Sequence, residues 1–351
     1  MPVRTGYEQV LAHRTDDLYA SVADKKGKVI SKTDKGILVE FEDGERRGIE
    51  LGRRFGAAAG LTIPHNVVSD LKPGDTLKPG QVIAYNDGYF EKDIINPENV
   101  VYKAGLLART VLMETPLTLE DSSTISASLA RRLESNVTKV RTIVVSFEQT
   151  VHLLEKETNE VGSENILCII EEAVTANSQL FDKDSLDTLR MLGAQVPLAK
   201  TAGIVEKIEV LYHGDKEDMS ESLRQLADES DRKLAKLNRS TGKKVYTGSV
   251  GEGFRISGTP LDLDTAAIRF YITSPASAGV GDKGVFANQN KTVFGKVLTH
   301  DILTEDGEIV DATFSWKSIL DRIVSSPPVI GTTTSLLVEI GKQAVALYKN
   351  R

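Results

Sequence analysis

The chain of 351 residues contains one cysteine, Cys168, so no intramolecular disulfide can staple the fold. Cys168 lies in the apolar run NILCII and reads as a small buried hydrophobe in a reducing, cytosolic setting. Five scattered histidines beside that lone cysteine argue against a zinc centre. Aromatic residues are scarce, at 6%, which leaves few for any site. No apolar run approaches the ~18–20 residues that a membrane helix needs. The start of the chain, MPVRTGYEQVLAHRTDD, has no apolar signal core. These absences together predict a cytoplasmic protein with no membrane contact. The P-loop, the dinucleotide-binding GxGxxG after a strand, HExxH and GxSxG are also missing, which excludes the chemistries they carry. The glycine-rich GEGFRISG at 251–258 and the Asp262-Leu263-Asp264 triplet read as turn chemistry, not as sites.

What remains is an ordinary globular composition, 40% hydrophobic and 26% charged, long enough for two or three domains. The net charge is −7, so any nucleic-acid contact must be local or completed by a basic partner.

The pattern along the chain predicts mixed α and β structure, rich in β. Alternating apolar residues with the turns TDKG and EDGE predict a meander over 28–31, 36–41 and 46–51. Two LKPG turns, beginning at Leu71 and Leu77, predict a compact β module. Strands are expected within 99–114, 139–154 and 203–213, and again within 266–274 and 292–303, on either side of the lysine stretch. Helices are expected from Ser163, over 184–192, and along the charged stretch 215–240. The last of these carries a stripe of Met219, Leu223, Leu226, Leu234 and Leu237. A helix after Trp316 is expected to stop at Pro327-Pro328, ahead of a final helix that contains Gly341. The resulting segments are 1–20, 21–98, 99–155, 156–200 (helical), 201–250 (strand plus charged helix), 251–326 and 327–351.

Two features carry possible chemistry. Glu120 and Asp121 are adjacent carboxylates. They either complement the dipole of a first helical turn or mark a metal or nucleotide site. Lys283 and Lys291 stand eight residues apart in VGDKGVFANQNKTVFGKV. They are either solvated cations or a clamp for an anion.

That stretch resembles the signature V-G-D-K-x-A-G-R-H-G-N-K-G-V-x-x-K of the β-subunit family of multisubunit DNA-directed RNA polymerases. The matches are Val280, Gly281, Asp282, Lys283, Asn290, Lys291, Val293 and Lys296. LEDSSTIS resembles the family's F-E-D-A-I-x-I-S at Glu120, Asp121, Ile125 and Ser126. LKPGQVIAY, GIVEKIEVLYHGDKED and EDGEIVDATFS are similar to three further landmarks in the same order. The resemblance spans roughly 25–325 and corresponds to the catalytic-barrel half of a much larger chain. It implies a double-psi β-barrel core with β hairpin modules and a long charged helical insertion. It implies phosphate or nucleotide contacts for Lys283, Lys291, Asn290 and Lys296, with catalytic roles for the first two, and a secondary magnesium near Glu120 and Asp121. The primary Mg2+ would sit on a β′-like partner with an aspartate triad, which this chain lacks. DNA template, RNA product and further polymerase subunits would complete the complex, in a cell cytoplasm that could be a phage's host. The chain departs from the signature where R-H-G becomes Ala287-Asn288-Gln289, and from N-P-L-G, which becomes Ser315-Trp316-Lys317-Ser318. The other reading is a repurposed barrel without catalysis. It would be a virion structural or assembly protein, or a factor that binds host polymerase, with self-assembly into homo-oligomers open to it.

Overall fold

A computed structural model describes residues 6–58, 60–93, 96–103, 105–172, 193–242, 247–287, 290–321 and 325–349. The fold is β-rich, with strands in several sheets and few helices. The described strands form no closed barrel. Among the described residues, no helix is long and apolar enough to cross a membrane.

The chain divides into two compact units, each assembled from separated stretches. The larger comprises Ala12–Val101 and Asn136–Ser274. Its first core lies under the four-stranded sheet Arg46–Glu50, Gly36–Phe41, Gly27–Lys32 and Thr76–Leu77. Ile37, Val39 and Phe41 alternate inward there, as the meander pattern requires. Its second core gathers Phe147, Leu167, Ile170, Leu223, Ile268 and Phe270. Each such side chain, once buried, contributes roughly 1.5–3 kcal/mol.

The long antiparallel pair Gly203–His213 and Thr265–Ala276 forms one wall of this second core. The charged helix Glu221–Ser240 covers it, starting from Ser220, whose side chain accepts from Leu223 N. Met219 and Leu223 are buried, Leu226 is partly buried, and Ala227 completes the seam. Asp231 is buried on that face but fully engaged. It accepts from the Tyr212 hydroxyl (3.0 Å), Lys216 Nζ (2.9 Å) and Gly248 N (2.7 Å). The far end of the helix presses on the four-stranded sheet: a Cβ on Gly48 would lie 1.7 Å from the Thr241 carbonyl oxygen.

Two expected helices are corrected here. Cys168–Glu171 is a strand, with Cys168 and Ile170 buried in alternation and paired antiparallel to Thr150–Leu153. Glu160–Val161 is also extended, so the described residues of the 156–200 segment are not helical up to Glu172. The β-branched isoleucines fit a pleated surface better than a helix, and the loose capping pattern at Ser163 does not outweigh them. The helix expected over 184–192 lies outside the described residues. In the smaller unit, Pro327-Pro328 open the last helix, Ser326–Lys349, and do not end the one before it, Trp316–Asp321. Proline is tolerated in a first turn because its missing N–H has no intrahelical partner there.

The smaller unit comprises Met1–Leu11, Tyr102–Ser135 and Pro275–Arg351. Its centre is a five-stranded mixed sheet in the order Thr110–Leu112, Ala312–Phe314, Ser122–Ser126, Asn290–Leu298, Lys283–Phe286. The first pair and the pair Ser122–Ser126 with Asn290–Leu298 are parallel; the others are antiparallel. The core beneath is small: Ile125, Leu129, Ala130, Phe294 and Ala312.

Candidate functional site

The two lysines of the signature stretch lie on adjacent strands of the smaller unit's sheet. Lys283 stands opposite Val293, and Lys291 opposite Val285. Asn290, Thr292 and Phe294 alternate inward, while Lys291 and Val293 are exposed. Lys283 and Val285 are exposed on the facing strand. Both ammonium groups therefore project from one face as a diagonal cross-strand pair, a separation of about 7–8 Å at the backbone. Gly284 keeps the other face open for Phe294, whose ring a Cβ would strike at 2.6 Å.

Lys296 joins the same face through a fault in the ladder. The pairing of Ser122–Ser126 with Asn290–Leu298 shifts register between Ser123 and Thr124. Beyond the shift, Val297 packs on the core and Lys296 is exposed, which reverses the earlier alternation. Gly295 sits at the shift because a Cβ there would meet Ser122 Oγ at 2.5 Å. Among the described residues none of the three lysines has an ion-pair partner. Asn290 is not part of this face: it is buried on the opposite side, 5% exposed.

Glu120 and Asp121 enter the same sheet one strand away. The Asp121 carbonyl accepts from Val293 N (2.9 Å) and Thr292 Oγ1 (2.7 Å). Glu120 adopts a left-handed backbone, φ 54, and its carbonyl accepts from Ser318 Oγ. Both side chains are exposed. The dipole explanation for this pair fails. They precede the strand Ser122–Ser126, and the helix Ala127–Arg132 begins only after it, capped by Ser126 Oγ accepting from Leu129 N at 3.0 Å.

Hydroxyl groups, which the sequence reading passed over, hold the platform in place. Ser123 Oγ lies 2.8 Å from Thr292 Oγ1 and donates to it, because the Thr292 proton goes to the Asp121 carbonyl, and Thr124 and Thr313 share a 2.6 Å bond. Ser315 Oγ donates to Glu114 (2.8 Å). The Lys317 backbone N–H, and then Ser315, hold the Glu114 carboxyl below its usual range. The signal was present in the runs SSTIS and DATFS, where small hydroxyl residues occupy buried strand positions.

No family model matches this chain, and no curated protein matches it.

The larger unit holds an open cavity of about 640 Å3, lined by Asp16, Asp17, Asp24, Arg47 and Arg54 among others. Its charges largely satisfy one another. Arg47 pairs with Asp17 at 3.1 Å and Asp24 at 3.5 Å, and Arg54 donates to the Asp17 carbonyl at 3.0 Å. Sequence reasoning missed this cavity, because nothing in the run RTDDLY predicts which arginines meet it.

Proposed function

We propose that this chain is a β-subunit-like component of a DNA-directed RNA polymerase, whose lysines contact the phosphates of nucleotide and RNA. One observation carries the reading. Lys283 and Lys291 share an exposed face, and the strand beside them starts at the Glu120-Asp121 pair. Ammonium groups on a rigid sheet stabilise charge that develops on phosphates during phosphoryl transfer. The two parallel strand pairs within the smaller sheet support a double-psi arrangement as the finer fold.

Glu120 and Asp121 offer hard oxygen ligands that suit magnesium, but two carboxylates are only part of its shell. Among the described residues no group of three His, Cys, Asp or Glu side chains converges. The remaining ligands would come from nucleotide phosphates, water and a β′-like partner with an aspartate triad. Bound there, the ion would supply charge neutralisation. This chain's own part is to orient phosphates with Lys283, Lys291 and Lys296. Such a complex works with template DNA in a cytoplasm.

A second reading, a non-catalytic assembly component, is favoured by the exposed apolar side chains of the last helix. The test is to recover the tagged protein from its native cells and measure template-dependent ribonucleotide incorporation. Wild-type eluates should incorporate nucleotide. Lys283→Ala and Lys291→Ala should lose at least about tenfold in rate, equivalent to about 1.4 kcal/mol, while keeping the same co-purifying chains. Inert wild-type eluates that contain virion proteins would sink the polymerase reading.

A further inference from the structure

We propose that the free edge of the strand Lys283–Phe286 takes up an extended, acidic segment of a partner protein as an added strand. The inference uses the lysine face but not the polymerase reading, which nucleotide incorporation decides. The backbone supplies the first argument. Lys283–Phe286 ends the five-stranded sheet, and no described strand lies beyond it. Phe294 N donates to the Asp282 carbonyl (2.9 Å), so that carbonyl points toward Asn290–Leu298. Residues along an antiparallel strand alternate in the direction of their polar groups. Gly284 and Phe286 therefore turn theirs inward, and Lys283 and Val285 turn theirs out to the edge. Val293, which stands opposite Lys283, has the matching phase: its N–H points the other way and donates to the Asp121 carbonyl. Among the described residues nothing pairs with the outward N–H and C=O groups of Lys283 and Val285.

The side chains supply the second. Lys283 is exposed and Val285 is 59% exposed, on the face that also carries Lys291 and Val293. A strand added at the edge sets one residue opposite Lys283 and another, two positions along, opposite Val285. A carboxylate at the first and an apolar side chain at the second complete both. The segment that fits therefore reads acidic, any residue, apolar, whichever direction it runs.

Charge identifies the occupant. The carboxylates of this chain do not serve the edge lysine. Asp282 turns back to its own loop, where its Oδ2 accepts from Gly279 N (2.8 Å). Glu120 and Asp121 lie across Asn290–Leu298, away from the edge. Lysine on an edge strand ordinarily wards off stray strands, and here it selects by sign. A second copy of the strand would bring a second set of lysines to the same face, which like-charge repulsion opposes. A nucleic acid matches the charge but has no ladder of amides to pair with the edge. An acidic polypeptide satisfies both the backbone and the lysines.

Fluorescence anisotropy of the full chain with a labelled synthetic peptide, Thr-Glu-Thr-Val-Thr-Glu-Thr, tests this. Saturable binding is expected, and the same peptide with lysine for glutamate should not bind. N-methylation of the peptide backbone keeps its charge but removes ladder hydrogen bonds, and should weaken binding at least about tenfold. Val285→Pro should do the same from the other side, at a position whose N–H faces solvent and where an edge strand tolerates proline. Binding of an oligouridylate, which senses the lysines alone, should be unchanged by Val285→Pro. An acidic peptide that does not bind, while the oligouridylate does, overturns the proposal and leaves the face to nucleic acid. Binding that survives both N-methylation and Val285→Pro overturns it too, because charge alone would then account for the attraction.

Discussion

The two units of this chain divide their labour by what they leave in water. The larger buries two apolar clusters among its described residues and carries the entire net charge of −7. The smaller is neutral and, among the described residues, shows one small cluster, yet most of the exposed large hydrophobic side chains belong to it. Leu106, Leu119, Val285, Leu303, Trp316 and Leu336 are examples. A large core with a charged surface is the makeup of a unit that stands by itself. A neutral unit with exposed apolar side chains is built to be covered. The candidate site lies in the second kind of unit, which fits chemistry that depends on assembly.

The largest test of that contrast is at Gly48. Its place against the Thr241 backbone leaves no room for a methyl group. Gly48→Ala should destabilise the larger unit by about 2–4 kcal/mol, read as a shift of its urea midpoint. An unchanged midpoint would mean that the helix end is not pressed on the sheet.

A smaller effect should follow pH. His65 is buried, and its Nδ1 lies 2.7 Å from Asn86 Nδ2. Asn86 Oδ1 accepts from Gly88 N, which orients the amide so that His65 Nδ1 accepts. Desolvation first, and the nearby Arg54 second, lower the imidazole pKa below 6.5. Below pH 6.5 the unfolded chain therefore takes a proton that the folded one refuses. Stability of the larger unit is full above that pH. It falls as pH drops toward the folded value, with a slope of at most about 1.4 kcal/mol per pH unit. Chemical denaturation from pH 7.5 to 5.5 should show this, and His65→Gln should flatten it. A slope that persists in His65→Gln assigns the effect to another group.

The smallest effect is in the smaller unit. Nothing lies within 4 Å of a Cβ built on Gly341 in the exposed last helix. Gly341→Ala should stabilise that helix by about 0.5–1 kcal/mol, seen as added helical signal on heating. A loss of stability there would mean that Gly341 packs against something, and would narrow the contrast between the units.

Legibility in the sequence followed local period. The strands Gly36–Phe41 and Gly203–His213 fall where alternation and turn residues put them, because one face of each is buried by nearby chain. The hairpin of Lys283 and Lys291 was legible in the same way. Three features were not. The run from Ser163 looked helical because acids and apolar residues mix there, while its strand partner, Thr150–Leu153, was needed to settle it. Glu120 and Asp121 were placed by Val293 and Thr292, about 170 residues away. The outward turn of Lys296 came from a register shift whose cause, the closeness of Gly295 to Ser122, lies between strands distant in sequence.

The parallel pairing of Ser122–Ser126 with Asn290–Leu298 also sets an order of events during synthesis. Ser122–Ser126 is synthesised well before either of its sheet partners, Asn290–Leu298 and Ala312–Phe314. At roughly 5–20 residues per second, that strand waits roughly 10–40 s for Ala312–Phe314 to appear. Until its partners appear, this strand, the central one of the finished sheet, is unpaired. A premature stop just after Ser274 would remove Lys283, Lys291 and Lys296 and leave Ser122–Ser126 without either sheet partner.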